Sequence, residues 1–188
     1  MDTRVSAQTS IPKVLLLVIS LGIGITGCAR STSSDRPTVV VTYSVLGDVV
    51  AQLVGDLADV EVIIPNGQDP HEFEPSAKSV EKMNNAALIV TNGVNFEENL
   101  IHLIEAAHRN GVPVFTMSDH VTTRVITDDG VERIDPHLWL DPMTMHEAIP
   151  DLARELGAIL EVDLTTRSAQ LQQVLAEVDS KVAASISG

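Results

Sequence analysis

The 188-residue sequence has a single cysteine, Cys28, which excludes an intramolecular disulfide and any cysteine-only zinc or iron–sulfur centre. Aromatic residues are scarce, at 3%. Positive charge is scarce too: 12 Lys and Arg face 26 Asp and Glu, a formal net charge of −14. No basic cluster interrupts that balance, so the electrostatic footprint of phosphate-backbone binding is missing and nucleic acid is excluded as a partner. The one long apolar run, Val14–Ile25, has twelve residues, short of the about 20 that a permanent membrane-spanning helix needs. What is present is a 44% hydrophobic chain, long enough for one domain or a large lobe with a buried core. Its chemistry falls to His, Asp, Glu and hydroxyl groups.

The apolar run belongs to an address. Residues 1–27 read as a secretory signal whose cations are Arg4 and Lys13. The run ends in Ile25-Thr26-Gly27-Cys28, which resembles a bacterial lipobox, where the cysteine thiol becomes a thioether to diacylglycerol. An ordinary signal, or a short membrane anchor with a chance cysteine, is the competing reading. The only cysteine falling at this one position favours lipid attachment at Cys28. Residues 28–37 (CARSTSSDRP) are small and polar, as expected of a flexible tether. The folded part is expected to start near Thr38, held by lipid at the outer face of the cytoplasmic membrane, at the cell surface or in a periplasm.

From there strand and helix patterns alternate. Thr38–Tyr43 (TVVVTY) is a β-branched run, and Val45, Val49, Leu53 and Leu57 then recur at helical spacing. Asp59–Ile64 is predicted as a second strand, stopped by Pro65-Asn66-Gly67. Ser76 is an N-cap for a short helix through Asn85, and Ala87–Thr91 is a third strand closed by Asn92-Gly93. Glu97–Asn110 is predicted helical with Gly111 as its stop, and Pro113–Met117 is a fourth strand. A polar loop or hairpin follows, to Ile134. Asp141-Pro142 opens a helix, and from about Leu164 a long amphipathic helix runs to the end. Strands joined by single helices imply an open parallel four-stranded sheet flanked by helices, an α/β fold. Ligands bind such sheets beyond the C-terminal strand ends.

One tripeptide occurs twice. Asp69-Pro70-His71 lies after the second strand, and Asp135-Pro136-His137 lies before the helical half. Proline restrains the backbone just before each imidazole, and imidazole suits zinc and other divalent transition metals. A nearby carboxylate can orient such a ring. Taken alone, each tripeptide is equally well explained as a turn.

The lipobox, DPHEFEPS, VTNGVNFE and DPHLWLDP, in that order, resemble the zinc/manganese-type (cluster A-I, or cluster 9) solute-binding lipoproteins of metal ABC importers. The likeness runs over about residues 38–188. It implies an extracytoplasmic receptor, not an enzyme, that binds Zn2+ or Mn2+ as cargo and delivers it to the membrane permease of an ABC importer. It implies two α/β lobes joined by one long helix, with the metal between them. Residues 38–163 then correspond to the N-terminal metal-binding lobe and 164–188 to the interlobe spine helix, the C-terminal lobe being absent. His71 and His137 would be the two ligands from the first lobe, with Asp141 capping the next helix and Glu74 organising its loop. The remaining ligands, a His or Glu and an Asp, belong to the second lobe, so two imidazoles make half a site and metal binding by this chain alone is expected to be weak.

Rival functions find less support. A metallohydrolase needs a third local ligand and a general base, as in His-Glu-x-x-His, and a serine hydrolase needs Gly-x-Ser-x-Gly; the sequence has neither. A surface adhesin or structural lipoprotein on the same scaffold remains the alternative. His102 and His108 are predicted on the solvated side of their helix, His120 in a surface loop, and His146 at a surface or packing position.

Overall fold

In a computed structural model the chain is described over residues 36–128 and 130–187. The signal at 1–27, Cys28 and all of the tether but Arg36 and Pro37 lie outside the described residues. Those two are already tied to the fold, because the Arg36 guanidinium pairs with Asp59 and the Pro37 carbonyl accepts from the Asp59 amide at 2.9 Å.

The elements run β1 (Thr38–Tyr43), α1 (Ser44–Val54), β2 (Asp59–Ile64), α2 (Ala77–Asn84), β3 (Leu88–Thr91), α3 (Ile101–Arg109), β4 (Val114–Thr116), β5 (Val125–Asp128), β6 (Val131–Ile134), α4 (Pro142–Leu160) and α5 (Thr165–Ile186). Strands β1 to β4 form one parallel sheet in the order β2-β1-β3-β4. Parallel sheets are covered on both faces, which is why β1 and β3 read as nearly unbroken apolar runs. Val39, Val40 and Val41 in β1 and Leu88, Ile89 and Val90 in β3 are all fully buried. Each such side chain stabilises the fold by roughly 1.5–3 kcal/mol relative to exposure. Helix α1 lies close on β1 and β2 because its Gly47 has no side chain; a Cβ there would come within 2.9 Å of a Val62 methyl.

The polar segment after β4 forms a 3-10 turn (Met117–His120) and then an antiparallel hairpin, β5 with β6, pairing Val125 with Ile134. Helix α4 starts at Asp141, whose carboxylate accepts from the Met143 amide and the Thr144 hydroxyl, both at 2.9 Å. Pro150 interrupts the helical ladder, since it has no N–H to offer the His146 carbonyl one turn back. Gln172 of α5 donates to that carbonyl instead, at 3.4 Å. Helix α5 is fixed at its start by buried Leu164, Ser168 and Leu171 and by Arg167, which donates to the Leu53 carbonyl at 2.9 Å. Farther along, Val174, Val178, Val182 and Ile186 form an exposed apolar stripe, so the amphipathic pattern of α5 is covered only in its first half among the described residues.

Candidate metal centre

Chain direction across the sheet reverses between β1 and β3, the neighbours from which the chain leads to β2 on one side and β4 on the other. Strand ends diverge at such a switch point and leave a crevice. Tyr43 ends β1 there and Asn92 follows β3. Three loops meet above them: the β2–α2 loop with His71, the β3–α3 loop with Phe96, and the segment after β6 with His137.

The β3–α3 loop is unusual in its backbone. Gly93, Val94 and Asn95 have φ of 85°, 54° and 57°, three successive residues in the left-handed region. For a β-branched residue such as Val94 that conformation costs roughly 1–2 kcal/mol. At Gly93 no larger residue fits, because a Cβ would stand 2.2 Å from the Ser118 hydroxyl oxygen. The turn sends Phe96 and Glu97 inward, each 2% exposed. Phe96 becomes an aromatic floor, with ring centres 4.5 Å from Trp139, 5.1 Å from Tyr43, 5.4 Å from His71 and 6.4 Å from His137.

Over that floor the two imidazoles of the repeated tripeptide come together, with ring centres 6.3 Å apart and planes inclined by 68°. A nitrogen that binds zinc at about 2.1 Å places its ring centre about 3.2 Å from the ion, so two rings sharing a tetrahedral ion stand about 5.2 Å apart. The rings therefore need to approach by about 1 Å, a side-chain adjustment open to two exposed residues.

Their supports differ. Asp69 accepts from the His71 backbone amide at 2.9 Å, and the His71 ring makes no hydrogen bond among the described residues. Asp135, by contrast, accepts from the His137 amide at 3.1 Å and lies 2.7 Å from ring Nδ1. Its other oxygen pairs with Arg124 on the hairpin. The Arg124 guanidinium holds the Asp135 carboxyl down at about 2, against an ordinary value of 3.8. With Nδ1 donating to that carboxylate, the neutral imidazole presents Nε2 as its lone pair. A recess of about 110 Å³, bordered by Arg124, Leu140, Asp141 and Thr144, opens beside His137.

Beneath the rings lies a polar network. Glu97 accepts from the Thr42 hydroxyl at 2.6 Å and the Asn92 amide at 2.7 Å. Burial pushes the Glu97 carboxyl up, against the lowering effect of these bonds, and burial together with the Glu97 charge pushes the Tyr43 hydroxyl up. The Tyr43 hydroxyl donates to Asn92 Oδ1 at 2.9 Å. Pattern reasoning reads Asn92-Gly93 only as the stop of a strand; nothing short of the three-dimensional loop reveals Asn92, Phe96 and Glu97 as parts of the site.

Among the described residues, no group of three or more His, Cys, Asp and Glu side chains is placed to hold a metal ion. The remaining predicted positions stay apart from the rings. Asp141 caps α4, and the Glu74 carboxylate accepts from Asn99, 3.5 Å away, which joins the β2–α2 loop to the β3–α3 segment. His102 and His108 are exposed on α3. His120 is not a free loop residue: it stacks on Phe115 at 4.2 Å and bonds Asp151 of α4 at 2.9 Å, pinning the turn to that helix.

The sequence model of the ZnuA family, described as zinc-uptake complex component A, periplasmic, matches residues 39–188. The chain belongs to this family. Among curated relatives of the ZnuA-family chain is the manganese ABC transporter substrate-binding lipoprotein PsaA of Streptococcus pneumoniae. It is 36% identical over 143 residues, 70% of this chain and 46% of that protein. The metal ABC transporter substrate-binding lipoprotein SloC of Streptococcus mutans is 34% identical over 136 residues, 68% of this chain and 44% of SloC. Among solved structures, FpvC of Pseudomonas aeruginosa, in complex with Mn2+, superposes with a TM-score of 0.69 at 25% identity, over 79% of this chain and 56% of FpvC. The periplasmic zinc-binding protein TroA of Treponema pallidum has the same fold, with a TM-score of 0.68 at 24% identity over 78% of this chain and 54% of TroA. The ZnuA-family chain spans about half the length of these relatives.

Proposed function

We propose that this chain is the metal-capturing lobe of an extracytoplasmic receptor that hands a divalent transition metal, zinc or manganese, to the permease of an ABC importer. His71 and His137 are its ligands from this lobe, and Cys28 carries the lipid that keeps the receptor at the membrane. Residues 38–163 act as the binding lobe and the helix from 164 as the spine to a second lobe that supplies the further ligands. The work is capture and delivery, with no bond made or broken in the cargo.

One observation carries the reading: two imidazoles from separate Asp-Pro-His loops converge over one aromatic floor in a chain of a zinc-uptake family. Imidazole nitrogen is a ligand that both zinc and manganese accept, and the first reaches higher affinity. Because proton and metal compete for the same lone pair, affinity is expected to fall as the medium is acidified through the range where imidazole protonates.

Trp139 provides the test. It is the sole tryptophan, and its ring centre lies 5.4 Å from that of His137. Zinc added to the full chain is expected to change its emission with weak affinity, and both His71→Ala and His137→Ala are expected to abolish the change. An undiminished response in either variant would remove that histidine from the site.

A further inference from the structure

The crevice at a switch point usually receives the ligand, yet here protein fills it. Asn92, fully buried, sits in it with every polar group engaged. Its amide N–H donates to Glu97 at 2.7 Å and its carbonyl accepts from Ser118 at 3.0 Å. Side-chain Oδ1 accepts from the Tyr43 hydroxyl at 2.9 Å. Nδ2 donates to the Gly93 carbonyl at 3.1 Å and to the Pro136 carbonyl at 2.8 Å. The last bond spans 44 residues and reaches the peptide immediately before His137.

We propose that Asn92 is the positioning residue of His137: its side-chain amide fastens the Asp135-Pro136-His137 segment to the sheet's switch point and so fixes where that imidazole meets the ion. The proposal rests on the metal-receptor reading above. The chemistry is specific to an amide of this length. One acceptor must face Tyr43 while two donors face Gly93 and Pro136, and an aspartate has no donor at neutral pH. The backbone is prepared for it as well, since the buried Glu97 carboxylate, held by Thr42, takes up the Asn92 N–H and leaves the side chain free for the loop. His71 has no such tie; its loop shares no hydrogen bond with Asn92.

That asymmetry supplies the test. The full chain, with isotopically labelled histidine, is titrated with Zn2+ while the ring signals of His71 and His137 are followed separately by NMR. Asn92→Ala is expected to weaken zinc binding by about tenfold, seen as one later midpoint for both rings, the scale found when an outer partner of a metal ligand is lost; at saturating zinc the shift of His137 is reduced and that of His71 kept. Tyr43→Phe, which only frees Oδ1, is expected to weaken zinc binding about threefold, with the saturating shift altered at His137 alone. A general loosening of the core would move both rings, because both pack on Phe96. If Asn92→Ala does not fold, as judged by circular dichroism, Tyr43→Phe decides alone. Unchanged affinity, or saturating shifts that change equally at the two histidines, overturns the positioning role while leaving the wild-type zinc response intact. A wild-type chain in which zinc moves neither histidine overturns the metal reading instead, and the positioning role with it.

Discussion

Phe96 is where the fold and the site depend on the same side chain. Replacing it by Ala removes the ring that touches Tyr43, Trp139 and His71 at once. Truncating a buried Phe to Ala costs about 3–5 kcal/mol, depending on how far the surroundings collapse. On the sheet side collapse is blocked: Tyr43 is 5% exposed and its hydroxyl is held by Asn92. On the outer side half-buried Trp139 and exposed His71 can settle into the space. The lower end, about 3 kcal/mol, is therefore expected. With a urea dependence of about 2 kcal/mol per molar, the unfolding midpoint should fall by about 1.5 M. Urea titration followed by Trp139 emission and by far-UV circular dichroism measures this directly, and the native emission should also move to the red as the indole loses its neighbour. Phe96→Leu keeps most of the volume and should lose about 1 kcal/mol. A midpoint change for Phe96→Ala of less than about 0.5 M would refute the claim that this ring is a packed floor.

Gly93→Ala and Gly67→Ala share a positive φ, 85° and 82°, but only at Gly93 does the new Cβ strike Ser118 and Thr116; Gly67 faces open space. Thermal melts should show a loss of about 1–2 kcal/mol at position 67 and about 1–3 kcal/mol more at 93. Glu97 has its carboxyl pushed above the ordinary 4.5, so its contribution is greatest below that pH and is lost as the pH rises through the raised value. Melting temperatures taken from pH 4 upward should fall less steeply for Glu97→Gln than for wild type, and parallel profiles would contradict this. Along α5, Leu171→Ala should cost about 2–5 kcal/mol and Val178→Ala less than about 0.5 in chemical denaturation, because Leu171 is 3% exposed and Val178 40%.

The sheet was readable because its information is local. β-branched runs such as Val39–Val41, a stop at Pro65-Asn66-Gly67 and a cap at Ser76 each act within a few residues. The observed cap, in which Ser76 accepts from Ser79 at 3.2 Å, is one such local device. His71 and His137 stood out because a tripeptide was repeated. The site's support could not be read in the same way, because it depends on pairs far apart in sequence. Thr42 meets Glu97 across 55 residues, Tyr43 meets Asn92 across 49, and Arg124 lies on a hairpin whose pairing only the fold sets. Likewise the valines of α5 signal an amphipathic helix, but spacing alone cannot say which part of that face finds a neighbour.

The repeated tripeptide also shows how one local sequence acquires two roles. Asp69 and Asp135 both accept from the backbone of the histidine two residues on, so the turn is the same. Only Asp135 also grips the imidazole. The difference lies in surroundings: Asp69 is exposed, whereas Asp135 is 7% exposed and has Arg124 on its second oxygen, which leaves the first aimed at Nδ1. On the metal reading, an arriving ion therefore meets one nitrogen already oriented, at His137, and one ring free to close the remaining distance, at His71. Exchanging these environments is a sharper demand on the idea than deleting either ligand. Arg124→Ala frees the second Asp135 oxygen and loosens the hold of that carboxylate on the His137 ring. Stopped-flow mixing with zinc, followed by Trp139 emission, should then show a slower approach to the bound state. If the rate were unchanged, the fixed and movable roles assigned to the two rings would have to be abandoned.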